Sequence, residues 1–296
     1  MNTYKISLPE RLLGILGDKM KNLPIGIFDS GVGGLTVAAE IMKTLPSEDI
    51  IYFGDLARTP YGSKSQDAVK RFSIEIANFL IKQQVKMIVV ACNTASSLAL
   101  GALKERFTMS IIDVIQPGVL KAIKSTISKR VGVIGTQSTI SSNAYLDAIK
   151  LVDTDIQVLS QPCPLFVPLV EEGWVDHEIT KSVAKEYLTP LKENQIDTLI
   201  LGCTHYPFLK GILQEIMGDK VILIDSAIEV AQETKKVLTQ NNLLCEENIS
   251  PAYKFYVSDA SSKFVEIGKI LLGRKIRVVT QVDIISSSIL DFGLRI

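Results

Sequence analysis

The chain has 296 residues, 47% of them hydrophobic and 22% charged, which suits two modest domains or one large one and excludes a disordered, collagen-like or coiled-coil chain. Lys plus Arg and Asp plus Glu balance at 32 each, so no overall field draws in nucleic acid or an anionic membrane, and the expected partner is a small molecule. Arg11, Asp18, Lys19 and Lys21 interrupt the segment before Ile25, leaving no apolar core for a signal peptide, and no later run reaches the roughly 18 apolar residues of a spanning helix. A cytoplasmic protein is expected, and its four cysteines, none in a CxxC pair, are expected as free thiols.

In chain order, IGIF at 25–28 reads as a strand buried on both faces and 34–45 as an amphipathic helix. The alternation continues with a strand at 50–53, a helix at 65–84, a strand at 87–91, a helix at 96–107 and strands at 111–112 and 131–134. Helices at 141–150 and 179–192 and strands at 198–201 and 221–224 complete the series. Such alternation requires crossovers between parallel strands, which makes the fold class α/β. The plan is used twice: IGIFDS (25–30) resembles VGVIGT (131–136), and VVACNT (89–94) resembles ILGCTH (200–205), at nearly the same offset. Two similar domains are therefore expected, with mostly parallel sheets flanked by helices, a pseudo-twofold relation and a cleft between them. The boundaries assign 1–116 and 226–296 to the first domain, with 1–24 as an extension, and 117–225 to the second. Ligands bind beyond the carboxyl ends of such strands, where Asp29, Cys92, Thr136 and Cys203 fall.

Asp29, Ser30 and the turn Gly31-Val32-Gly33-Gly34 join a strand to a helix, a setting whose amides can hold an anion. Thr36 stands where a dinucleotide fingerprint needs its third glycine, so a small carboxylate fits better than a pyrophosphate. Asp29 reads equally as a helix cap or a functional group. Cys92 and Cys203 each end a buried strand and open a helix or loop, where a helix dipole lowers a thiol pKa from about 8.5. A single cysteine so placed reads as a small buried hydrophobe; two in matching repeat positions, followed by Asn93-Thr94 and Thr204-His205, read as reactive groups. Two thiols on opposite sides of one ligand suit inversion of a stereocentre, one removing a proton from one face and the other delivering a proton to the opposite face. For turnover of about 10 s⁻¹ the barrier must fall to roughly 16 kcal/mol, which demands preorganised donors around the developing carbanion.

Asp55 and the turn at Pro60-Tyr61-Gly62-Ser63 can present amides and a phenol to the ligand, or form a plain turn. Glu171 reads as a partner of His205 or as a surface carboxylate, His205 as a group that tunes Cys203, and His177 as surface. Cys163 and Cys245 lack polar partners in sequence and are expected to be structural. No HExxH, GxSxG or GK[ST] string occurs, which removes the commonest zinc-peptidase, serine-hydrolase and P-loop readings.

The strings IGIFDSGVGGLTV, YFGDLARTPYGSKS, VACNTAS, VGVIGTQSTI, CPLFVPLVEEG, LGCTHYPFL and FYVSDAS, in this order from Ile25 onward, resemble the motif set of the cofactor-independent aspartate/glutamate racemases, and within them the glutamate racemases. The resemblance implies catalytic thiols at Cys92 and Cys203, and substrate contacts at Asp29, Ser30, Tyr61, Gly62, Asn93, Thr94, Thr204 and His205, with Asp29 near the amino group. It implies auxiliary carboxylates at Asp55 and Glu171. It implies no pyridoxal phosphate or metal, L- and D-glutamate as ligands, D-glutamate supplied for peptidoglycan, and a homodimer. Leu56 and Thr59 depart from the Thr and Val more usual in related sequences, which bears on loop packing. The competing expectations are racemisation of aspartate or a hydantoin, decarboxylation of a malonate, and a non-catalytic module that closes on a small acid.

Overall fold

The computed structural model describes residues 19–245, 249–259, 262–273, 276 and 278–284. The extension through residue 18 and the Ala260-Ser261 end of the last motif lie outside the described residues. Two sheets organise the chain. The first contains β1 (Ile25–Asp29), β2 (Ile50–Gly54), β3 (Met87–Val90), β4 (Ile111–Asp113), β9 (Tyr253–Val257) and β10 (Val279–Gln281), in the order β10-β9-β2-β1-β3-β4. The second contains β5 (Arg130–Gly135), β6 (Gln157–Pro162), β7 (Thr198–Gly202) and β8 (Ile222–Ile224), in the order β6-β5-β7-β8. Every pairing is parallel.

β1, β2, β3 and β7 are buried along their whole length, as unbroken apolar strands with covered faces require. Helices α1 (Leu35–Thr44), α2 (Gln66–Lys82) and α3 (Asn93–Arg106) flank the first sheet and enclose two cores, one around Ile27, Leu35 and Tyr52 and one around Phe28, Phe53 and Ile76. In each sheet the first strand in sequence lies between the second and third, so the chain reverses its winding between β1 and β3 and again between β5 and β7. Crevices open at the carboxyl ends of strands at such reversals. The repeated strings fall on these four strands.

Several boundaries differ from expectation. α3 begins at Asn93 and not at 96, because the Cys92 side chain caps it. The helix expected over 141–150 is two, α5 (Gln137–Ser141) and α6 (Ala144–Val152), separated at Asn143, whose φ is 58°, a left-handed conformation that asparagine tolerates better than most residues. α4 (Ile115–Ser125) forms although Pro117 and Gly118 lie within its first turns, where a missing N–H costs little. β6 is an edge strand, partly exposed, and so carries no apolar run to betray it.

One buried ion pair ties distant segments together. Lys86, which precedes β3, pairs with Glu48, and its Nζ donates to the carbonyls of Lys21 (2.6 Å) and Leu243 (2.9 Å). Glu48 Oε1 accepts from Cys245 N at 2.9 Å. Breaking such a pair strands a charge in the interior. Lys86→Met is therefore expected to lower the unfolding free energy by about 3 kcal/mol in urea titration, and Glu48→Leu added to it to recover part of that loss.

Candidate active site

The site grows from the carboxyl ends of β1, β3, β5 and β7. Asp29 ends β1 and is fully buried. Its Oδ2 accepts from Gly31 N (2.9 Å) and Gly34 N (3.0 Å), which fixes the glycine turn, while Oδ1 has no hydrogen-bond partner. Asp29 is not the cap of α1, whose N-cap is Gly34 without a side-chain bond; Oδ2 braces the turn and Oδ1 is left without a partner. Burial raises its pKa against the charge of His205 and the turn amides. The glycines serve close packing: a Cβ at Gly34 would collide with Asp29, and one at Gly33 with Thr204 and His205 from the other half of the site.

Cys92 follows β3 as the N-cap of α3. Its Sγ accepts from Ala95 N at 3.4 Å, and its thiol donates to Ser30 Oγ at 3.5 Å. The helix end was expected to lower this thiol's pKa. Instead burial, with the negative charge of Asp29, pushes it up to about 12, because its bonds with Ser30 and Ala95 do not offset desolvation. Cys203 follows β7, and its Sγ lies 3.9 Å from His205 Nδ1. His205 Nε2 is 3.2 Å from Glu171 Oε1, at ion-pair distance without hydrogen-bond alignment. Burial disfavours the imidazolium, but Cys203 and Glu171, helped by Asp29, raise the His205 pKa to about 10. Glu171, which ends α7 (Phe166–Glu171), has its own pKa lowered by His205 against the effect of burial.

The loop carrying Tyr61 and Gly62 is pinned from behind. Asp55 Oδ1 accepts from Ser258 Oγ (2.7 Å), and Oδ2 accepts from Arg58 Nε (2.7 Å) and the Tyr61 hydroxyl. Arg58 also pairs with Glu75, and its guanidinium lies 4.2 Å from the centre of the Phe72 ring. The Tyr61 phenol is thus engaged by Asp55, leaving backbone amides for a ligand. Gly62 abuts Thr136, and its carbonyl accepts from Ser138 Oγ at 2.8 Å. The hydroxyls of Thr94, Thr136 and Thr139 lie 2.9 to 3.1 Å from one another.

Ser30, Tyr61, Gly62, Cys92, Asn93, Thr94, Cys203, Thr204 and His205 line one small cavity. Asp29, Asp55 and Glu171 stand behind its wall, each hydrogen-bonded or ion-paired to groups that line or shape it. Thr136 and Val167 also line it. The sequence marked Thr136 only as a strand end, although its place after β5 matches that of Asp29 after β1. Arg58, Ser258 and Tyr145 also support the site, and no spacing announces them. Cys163 and Cys245 are buried and line no part of this cavity, and His177 is exposed, accepting from Ile179 N at 3.1 Å. Among the described residues no group of three or more His, Cys, Asp or Glu could hold a metal ion.

A family model described as Asp/Glu/Hydantoin racemase matches residues 34–234. The chain is 50% identical to the glutamate racemase of Geobacter metallireducens over 260 residues, covering 88% of this chain and 96% of that protein. It is similar to the crystal structure of the glutamate racemase of Francisella tularensis in complex with D-glutamate, with a TM-score of 0.85, 43% identity, and 90% and 99% of the two chains covered. A glutamate racemase structure from Bacillus anthracis gives a TM-score of 0.86 at 42% identity, over 89% of this chain and 98% of that one.

The raised His205 pKa makes stability depend on pH. The folded value, about 10, exceeds the ordinary 6.5, so the imidazolium's contribution is complete below pH 6.5 and is lost as pH rises through about 10. The unfolding temperature is expected to fall across that window, and Glu171→Gln to flatten the fall, as read by circular dichroism melts.

Proposed function

We propose, from the premise that the chain belongs to the Asp/Glu/Hydantoin racemase family and to its glutamate racemases, that it interconverts L- and D-glutamate by proton transfer between Cα and two thiols. The observation that carries this reading is the pair Cys92 and Cys203, which end equivalent strands of the two sheets and line one cavity. One sulfur, as thiolate, takes the proton from Cα, and the electron pair of the broken C–H bond passes onto Cα and its carboxylate. The other sulfur, as thiol, gives its proton to the opposite face. Each turnover exchanges the protonation states of the two sulfurs, so either enantiomer can start the cycle.

The surroundings of the two sulfurs differ. Cys92, with its pKa pushed up to about 12, holds its proton; beside Cys203 stands an imidazolium kept charged to about pH 10. Asp29 Oδ1, buried and unpartnered, is the acceptor the substrate ammonium needs, since a buried acceptor left unsatisfied is costly. Ser30, the amides of Tyr61 and Gly62, and the side chains of Asn93, Thr94, Thr204 and His205 hold the carboxylates. Donors aimed at the charge that develops in the transition state lower the barrier most, and the N-terminus of α3 adds its dipole. Asp55 and Glu171 act through Tyr61 and His205. Two domains, residues 1–116 with 226–296 and residues 117–225, would close on the ligand.

The reading extends to a cytoplasmic homodimer that supplies D-glutamate for peptidoglycan. No helix among the described residues is long and apolar enough to cross a membrane, and light scattering measures the oligomer.

Circular dichroism of L-glutamate with the protein and no added cofactor is expected to decay to zero. An undiminished signal sinks the assignment, and slowed iodoacetamide labelling of Cys92 or Cys203 would then leave only a binding role. Cys92→Ser and Cys203→Ser are each expected to lose activity by about a thousandfold or more while keeping their folded spectra, since a single acid–base group contributes up to about 10⁴. Cys163→Ser should stay within a few-fold of the parent. In heavy water the inverted product should carry deuterium at Cα, and an inverted product without it would exclude the thiol mechanism.

A further inference from the structure

Asn93 opens α3 beside the first sheet, and its Nδ2 donates a 2.7 Å hydrogen bond to the phenol of Tyr145. Tyr145 lies at the other side of the cleft, in the first turn of α6, which packs against the second sheet. It is 2% exposed. Its ring lies so near Gly202 that a Cβ there would stand 3.2 Å from Tyr145 Cε2, and Gly202 directly precedes Cys203. Tyr145 thus contacts the residue after one sulfur and the residue before the other, yet does not line the ligand cavity.

The terminal torsion of asparagine is soft, and the two ends of its amide are opposite in character, one a donor and the other an acceptor. An amide beside an anionic ligand is useful in one orientation and repulsive in the other. We infer that Tyr145 is a positioning residue for racemisation: its phenol, reaching from the opposite lobe, holds the Asn93 amide with its remaining N–H available to a substrate carboxylate. Because the two partners sit on helices packed against different sheets, the amide is set only when the lobes are together, so closure and donor orientation become one event. Burial raises the phenol's pKa above its ordinary value, which keeps this contact the same across the working pH range. The inference rests on the reading of Asn93 as a substrate contact.

The test is a double-mutant cycle on Tyr145→Phe and Asn93→Ala, read as kcat/KM for glutamate and as glutamate affinity by calorimetry. Tyr145→Phe keeps the ring against Gly202 and removes only the hydroxyl. It is expected to lower kcat/KM about tenfold, the size of one net hydrogen bond. In the Asn93→Ala background the same change should cost less than twofold. Affinity should follow the same pattern and decides the matter if Asn93→Ala turns over too slowly to measure. Equal losses in both backgrounds would mean a general structural role and would overturn the inference, as would a Tyr145→Phe protein within twofold of the parent. A parent protein that does not racemise glutamate would remove the functional reading itself, an outcome distinct from both.

Discussion

Everything at this site depends on a property of parallel sheets: all the strands of one sheet deliver their carboxyl ends, and the helix N-termini that follow them, to the same side. A sheet wound in the order second, first, third, fourth opens its crevice beside its first and third strands, and both sheets here are wound that way. β1 and β3 carry Ser30 and Cys92 into one wall, with Asp29 behind it, and β5 and β7 carry Thr136 and Cys203 into the other. Two chemically identical groups therefore meet across one small cavity, because the topology is repeated and with it the strings VVACNT and ILGCTH that carry them.

Identity of the groups does not extend to their surroundings. Cys92 lies near the buried carboxylate of Asp29, and burial with that charge makes it hard to ionise, whereas Cys203 has a histidine 3.9 Å away whose charge Glu171 supports. Asp29 feels both, opposing the ionisation of Cys92 and favouring the cation at His205. In water such influences would be worth little; here the groups are buried, and neighbouring charges and desolvation decide which state each holds. A chain with no net charge thus sustains a strongly polarised interior.

Much of this was legible in the sequence because its cues are local. Unbroken apolar runs marked β1, β2, β3, β5 and β7, and of the polar residues that follow them Cys92 and Cys203 line one cavity, with Asp29 behind its wall. What escaped reading depends on contacts between segments far apart in the chain. Asp55 is marked in the sequence as an auxiliary carboxylate, but the 2.7 Å bond that holds it, from Ser258 about two hundred residues later, is not. Tyr145 lies in a short helix with an ordinary amphipathic pattern, and only the 2.7 Å bond to Asn93 reveals its position. The sequence points the Cys92 pKa downward, against the structure, for the same reason: the helix end is visible in sequence, but the degree of burial is not.

If Cys92 exchanges protons in the proposed racemisation, the hydrogen bond from Ala95 N to its Sγ gives the first turn of α3 a stake in the reaction. A thiolate accepts from that amide more strongly than a thiol does, so each gain or loss of the sulfur's proton must tighten or relax the end of the helix. The Ala95 amide resonance is in this sense a built-in gauge of the charge on the sulfur, and a magnetic-resonance spectrum could follow the cycle from a residue that never meets the ligand.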